Sequence, residues 1–255
     1  MNSDVYALLA DRVGRGQPCA VVTVVSASGS TPVKAGAKAL YDPDGRRAAG
    51  WSGGGCIEGA LADIVRAALA EGTPRTVPFD LADEVLGVGV PCGGRMEVLV
   101  EPVLPDPVLE IVGHGRVAEA VARIASGLSF RVRVHSSFAA AGALPPGTAI
   151  VSGDVEFLRL CEVPGSYVVV AAEHKGDEAA LARALERNAA HVALVASRDR
   201  ARIVFDRMGE MGVPAEAIRR VRCPAGLDIG AVTPDEIALS VLAQIVAVKR
   251  GKAKP

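Results

Sequence analysis

The sequence predicts an α/β fold in two parts, with a parallel sheet in the second. Three observations carry that reading. From residue 108 onward, short valine-rich runs alternate with amphipathic stretches, the pattern of repeated strand–helix units. The apolar run Val108 to Val112 leads straight into Gly113-His114-Gly115-Arg116-Val117-Ala118, a glycine turn between a strand and a helix. Pro102, Pro105 and Pro107 fall close together and mark a stiff boundary between the two parts. The expected organisation is therefore a small N-terminal α/β domain over residues 1–103 and a Rossmann-like parallel-sheet domain over residues 108–255.

Composition narrows the function classes. Half of the 255 residues are hydrophobic but only 4% are aromatic, so the cores must be built from Val, Ala, Leu and Ile. With 28 basic against 29 acidic residues there is no electrostatic footprint for nucleic acid or an anionic membrane surface. The five cysteines, Cys19, Cys56, Cys92, Cys161 and Cys223, are odd in number and widely spread, with no CxxC pair. That argues against a disulfide framework and a zinc knuckle, and no metal site is expected. The opening Met1-Asn2-Ser3-Asp4 is polar, and no apolar stretch is long enough to span a bilayer. The expectation is a cytoplasmic protein with no membrane contact.

In the first part, residues 3–15 read as a short helix capped by Ser3 or Asp4 and closed by Gly14 and Gly16. Residues 19–25 read as a buried strand, with Cys19 as core. Residues 26–32 read as a polar loop that only superficially resembles a P-loop, since Gly36 is followed by Ala37 and Lys38. The hydroxyls of Ser30 and Thr31, with Lys34 and Lys38, suit an anionic ligand; a plain polar loop leading into a strand explains them equally well. Residues 37–41 and 46–51 form a strand pair around the turn Asp42-Pro43-Asp44-Gly45.

That pair delivers the chain to Ser52-Gly53-Gly54-Gly55-Cys56-Ile57-Glu58-Gly59, the stretch around which the first part is organised. Successive glycines leave backbone N–H groups uncovered and able to wrap an anion. Ile57, Ala60, Leu61, Ile64, Val65, Ala68 and Leu69 then recur at helical spacing up to Gly72. Cys56 is thereby placed at a helix N-terminus, where the dipole and unpaired N–H groups favour a thiolate. A buried core cysteine after a glycine turn is the alternative. Residues 75–79 read as a strand. The segment from Gly87 through Cys92 to Gly93 and Gly94 is a second glycine-rich loop, and residues 95–101 read as another strand. Two glycine loops, each with one cysteine, lead to the expectation that Cys56 and Cys92 face one cavity with Ser30, Thr31, Lys38 and the triple glycine.

In the second part, residues 130–134 follow the helix 117–125 as the next strand. A dinucleotide site wants Asp or Glu at the end of that strand for the ribose hydroxyls, and the chain reads His135-Ser136-Ser137 there. Weak or absent NAD binding is the expectation. Strands follow at 149–152, 167–172 and 191–196, and helices at 177–187, 200–211 and from Pro214 to Ile218. His174 at a strand end lines the cleft or is simply solvated. Cys223 opens a third glycine-bearing loop that runs to Gly230. Thr233, Pro234 and Glu236 spell a capping box for a last helix reaching about Lys249.

These segments together resemble the XdhC/CoxI family of accessory proteins for molybdenum hydroxylases. The resemblance rests on Gly29-Ser30-Thr31-Pro32 with Gly36-Ala37-Lys38, on Ser52 to Gly59, and on Cys92-Gly93-Gly94 leading to Glu101-Pro102. It continues in Gly113-His114-Gly115-Arg116-Val117, in Gly226-Leu227-Asp228-Ile229-Gly230, and in Thr233-Pro234-Asp235-Glu236-Ile237-Ala238. Where relatives carry an Asp-Asp-Arg-like segment, this chain has His135-Ser136-Ser137. The resemblance implies transient binding of molybdenum cofactor (molybdopterin), support for its sulfuration, and its insertion into a hydroxylase of the xanthine or carbon monoxide dehydrogenase type. It implies as partners a molybdenum hydroxylase apoenzyme and a cysteine desulfurase, and a maturation factor with a sulfurtransferase-type role in preference to a classical enzyme.

On that reading Cys56 and Cys92 are the catalytic thiols. Ser30, Thr31, Lys38, Gly53, Gly54, Gly55, Glu58, Gly93, Gly113, Gly115 and Asp228 are the cofactor-binding residues, with Glu58 or Asp228 accepting from the pterin ring. A homodimer is the default for such a chain. The rival from another class is an oxidoreductase using NAD(P) or FAD in the Rossmann-like domain.

Overall fold

The computed structural model describes residues 2–81, 93–137, 141–172 and 176–252, apart from the side chains of residues 55, 56 and 141. The segment from Gly87 to Cys92 and His174 therefore lie outside the described residues. The chain divides into two compact units, Met1–Pro105 and Asp106–Pro255, with the break inside the proline-rich stretch.

The first unit is an antiparallel sheet with helices. In chain order its elements are α1 (Ser3–Gly14), β1 (Cys19–Ser28), β2 (Lys38–Tyr41), β3 (Arg47–Gly50), α2 (Gly55–Glu71), β4 (Arg75–Asp80) and β5 (Arg95–Val103). The strand order is β3-β2-β1-β5-β4. β1 is central, which is why it reads as an unbroken apolar run. It is longer than the sequence predicts: residues 26–28, expected as loop, pair with 95–97 after a register shift at Val24/Ser26. A bulge of this kind leaves no hydrophobic signature. The cap of α1 is Asn2, not Ser3 or Asp4, and it caps without a side-chain hydrogen bond; its amide instead donates to Gly36 O at 3.0 Å. α2 lays Ile57, Leu61, Val65 and Ala68 onto one face of the sheet with Val22, Val98 and Val100. Val5 of α1 packs against Cys19, Val21 and Leu40 in a separate cluster.

The second unit is a parallel sheet in the order β11-β10-β9-β6-β7-β8. Its strands are β6 (Val108–Val112), β7 (Arg131–His135), β8 (Ala149–Val151), β9 (Tyr167–Val170), β10 (His191–Leu194) and β11 (Val221–Arg222). Counted from β6 as strand 1, this is the doubly wound order 3-2-1-4-5-6, whose reversal between β6 and β9 opens a crevice at the strands' carboxyl ends. Helices α3 (Arg116–Ala125) and α7 (Pro234–Lys249) cover one face, with Val121, Ala122, Leu242 and Ile245 on Leu109, Ile111 and Val134. Helices α4 (Asp177–Glu186) and α5 (Arg198–Glu210) cover the other, with Leu181, Ala184, Val204 and Met208 on Val168, Val170 and Leu194. Burial on both faces makes the strands continuous apolar runs.

The short α6 (Ala215–Ile218) precedes β11, a two-residue strand too brief to be read from sequence. α5 starts two residues before the expected position because Ser197 caps it, accepting from Arg200 N. The capping box of α7 is formed as read, between Thr233 and Glu236. Among the described residues no helix is long and apolar enough to cross a membrane.

Candidate functional site

In the first unit, the triple glycine is held by its flanks. Trp51 N–H donates to Lys38 O at 2.9 Å as the chain leaves β3. Ser52, 1% exposed, shares a 3.2 Å hydrogen bond with the Tyr41 hydroxyl. Burial pushes the Tyr41 phenol above its ordinary range, so it stays protonated in that bond. Arg47 spans the loop: its Nη1 donates to Gly50 O at 2.7 Å and its Nε to Glu58 at 2.8 Å, and its guanidinium lies 4.6 Å over the Trp51 ring. Gly54 is the N-cap of α2 and supplies no side-chain acceptor, so the positive end of a 17-residue helix is left uncapped with Cys56 in its first turn. The side chain of Cys56 and the whole of Cys92 lie outside the described residues.

The remaining predicted residues of this unit fall into two groups. Residues 29–30 pack backbone to backbone against Gly93 and Gly94: a Cβ on Gly94 would stand 2.4 Å from Ser30 O, so only glycine permits that approach. The structure thus joins Ser30 and Gly93. Thr31 Oγ1 turns inward to Val33 O at 2.8 Å. Lys38 Nζ donates to Thr23 Oγ1 at 2.7 Å, directly across the β1–β2 pair. Glu58 is engaged by Arg47. Arg47 is the residue that sequence reasoning missed here, since its partner Glu58 lies in a different element and nothing in the local sequence joins the two.

In the second unit, the glycine turn stands at the switch point. Gly113 has φ +126° and a Cβ there would meet Ala171 O at 2.3 Å, so the turn is tied to glycine by the neighbouring strand's backbone. Its N–H donates to His135 O at 3.0 Å. Gly115 caps α3 without a side-chain bond. A cavity of about 540 Å³ opens here, lined among others by Gly113, His135, Ser137, Asp154, Val155 and Phe157.

Behind its wall lies a charge network the sequence did not announce as such. Glu110, fully buried in the middle of β6, accepts from His135 Nε2 at 2.6 Å and from Cys161 N at 3.3 Å, and pairs with Arg133 at 3.5 Å. The register explains it: Glu110 faces Arg133 across β6–β7, and His135 lies two residues on, on the same face. The legible signal was the charge inside Val108 to Val112, matched by the alternation Arg131, Arg133, His135. Asp228 lines a different cavity of about 580 Å³ with Ser197, Arg198 and Gly226.

The surroundings of Cys19, Cys161 and Cys223 disfavour a thiolate. Burial raises the thiol of Cys19 and of Cys223, and burial with Glu110 nearby pushes Cys161 up to about 12. Among the described residues no group of three or more His, Cys, Asp or Glu is arranged to hold a metal ion.

Comparison with known proteins finds two family models on the chain. The model of the XdhC Rossmann domain matches residues 109–245, and that of the XdhC and CoxI family matches residues 13–80. An uncharacterized protein, YqeB, of Escherichia coli (strain K12) is 34% identical over 241 residues, covering 91% of this chain and 44% of its own length. The chain thus spans less than half the length of this curated relative. A crystal structure of a protein from Bacillus halodurans, described as a xanthine dehydrogenase, superposes with a TM-score of 0.51 at 22% identity. It covers 97% of this chain and 96% of its own, and it speaks to the fold alone.

Proposed function

The chain belongs to the XdhC and CoxI family, and from that premise we propose that it is an accessory protein that binds molybdenum cofactor and delivers it to a molybdenum hydroxylase of the xanthine dehydrogenase type. The observation that carries the reading is the uncapped N-terminus of α2, where Gly54 precedes a cysteine in the first turn. Molybdopterin carries a phosphate and a dithiolene. Backbone N–H groups at a helix N-terminus suit the phosphate, and a thiolate suits soft-metal or persulfide chemistry. The close packing of residues 29–30 on Gly93 and Gly94 adds a second set of small, polar backbone. On this reading the protein cargo is molybdenum cofactor held transiently, sulfur comes from a cysteine desulfurase, and the active form is a homodimer. It is a maturation factor in which Cys56 handles sulfur or metal.

The chain's single tryptophan provides the test. Trp51 is 47% exposed, one residue before Ser52, under the guanidinium of Arg47. Titration with purified molybdenum cofactor is expected to change Trp51 fluorescence saturably, and the loaded protein is expected to restore activity to an apo-hydroxylase. Arg47→Met removes the ion pair and the cation–π contact, each about 0.5–1 kcal/mol, and is expected to weaken that binding several-fold. No fluorescence change together with no transfer would sink the proposal.

A further inference from the structure

We propose that the outward face of α7 is a self-complementary surface on which a second copy of this chain docks, with the two α7 helices antiparallel across a two-fold axis. Steps of four and three residues put Asp235, Leu239, Ala243, Val246 and Arg250 on one side of a helix with about 3.6 residues per turn. The inner side carries Ala238, Val241, Leu242 and Ile245 into the core. Asp235, Leu239 and Arg250 are exposed, Leu239 at 53%, and Ala243 and Val246 are half-buried. A surface helix ordinarily carries charge along its outer side. Here residues 237–248 contain no charged residue at all, on the outer side as on the inner one. The charges stand only at the ends: Asp235 and Glu236 in the first turn, Lys249 in the last turn and Arg250 at the C-cap.

The order of residues in that stripe selects the occupant. Leu239 and Val246 lie equally far on either side of one point, between Leu242 and Ala243, and so do Asp235 and Arg250. A two-fold axis through that point sets Leu239 on Val246 of the second copy and Asp235 beside its Arg250, each pair occurring twice, which is what an isologous contact requires. Ala243, next to the axis, has the small side chain that lets two helices approach closely. Antiparallel helices also oppose their dipoles, and each acidic first turn meets a basic last turn. A parallel pair would bring acid against acid and base against base. Asp235 already holds Arg123 of α3 through Oδ1, and a carboxylate can accept from a second guanidinium through its other oxygen.

A loop that the helix itself holds adds apolar surface beside it. Gln244 clamps Gly226, donating to its O at 3.1 Å and accepting from its N at 3.2 Å, and Leu227 N donates to Ser240 O at 3.1 Å. The loop so fixed leaves Leu227, Ile229 and Val232 exposed, Val232 at 81%. The 16-residue helix is about 24 Å long. A contact of that length is smaller than the roughly 800 Å² per partner of a standard interface, so a dissociation constant on the order of micromolar is expected. The inference rests on the homodimer of the proposed function and gives it a surface. Its test reads association alone, so the surface can fail while cofactor handling stands.

The test is sedimentation velocity on the full chain from about 1 to 100 µM, where a reversible monomer–dimer equilibrium is expected. Leu239→Glu sets an unpaired charge in an apolar contact and is expected to weaken association at least about tenfold, with the far-UV spectrum unchanged. Asp235→Arg alone and Arg250→Asp alone each place like charges together across the axis, and each is expected to weaken it about tenfold. An equimolar mixture of those two variants is expected to associate as tightly as the unmodified chain, because every charge then meets its opposite on the other copy. That rescue separates a contact between copies from the Asp235–Arg123 pair within one chain, which mixing does not restore. A chain that stays monomeric at about 100 µM overturns the proposal and leaves the face to a protein of another kind. A dimer that survives Leu239→Glu, or a mixture that associates no better than either charge variant alone, overturns it in favour of a different face.

Discussion

Glu110→Ala is expected to destabilise the Asp106–Pro255 unit by about 3–5 kcal/mol, the usual consequence of removing one partner from a buried charge network. Glu110 is 0% exposed, and it is the shared acceptor for His135, Arg133 and the Cys161 amide. Without it, Arg133 keeps the half-exposed Glu162 at 2.8 Å and the Arg159 carbonyl at 3.2 Å, and the His135 ring, 2% exposed, loses its hydrogen bond to a carboxylate. For a unit of this size the loss corresponds to a drop in melting temperature of roughly 6–20 °C, read by far-UV circular dichroism. The triple replacement Glu110→Leu, Arg133→Met, His135→Leu is expected to recover more than half of that loss, because no charge is then left stranded. A Glu110→Ala protein that melts within about 1 kcal/mol of the unmodified one would show that the network does not hold this unit together.

Much of the second unit was readable because its physics is local. Parallel strands buried on both faces announce themselves as valine-rich runs, and Ser197, Thr233 and Glu236 announce helix starts through side chains that reach only three residues. The strand–turn–helix around Gly113 was readable for the same reason. What was not readable depends on register or on distant backbone. The pairing of residues 26–28 with 95–97 follows a bulge. The proximity of Asp154 to His135 depends on how the turns after β8 fold back, and nothing in the sequence around residue 154 states it. Likewise, Glu58 is expected as an acceptor for a pterin ring, and the structure shows its carboxylate engaged by Arg47 at 2.8 Å.

Cys56→Ser is expected to abolish delivery of molybdenum cofactor to an apo-hydroxylase, at least about tenfold and down to background, while leaving melting within about 1 kcal/mol of the unmodified protein. Serine has nearly the volume of cysteine and is well tolerated in a first helical turn, so a packing defect does not explain a loss of transfer. Backbone position is the reason for expecting chemistry: Cys56 stands in the first turn of α2, behind an N-cap that has no side chain, where the helix dipole and free N–H groups favour the thiolate. The thiol readout is favoured among the described cysteines, since burial raises the thiols of Cys19 and Cys223 and pushes Cys161 up to about 12. Alkylation of the native protein near neutral pH is therefore expected to slow markedly in Cys56→Ser, with Cys92→Ser measured alongside to apportion the remainder. Cys19→Ser is the control: Cys19 is 0% exposed in the first unit's sheet, and its replacement is expected to change stability without changing transfer. A Cys56→Ser protein that matures the hydroxylase as well as the unmodified one does would show that the glycine run serves packing alone, with the cofactor handled elsewhere on the chain.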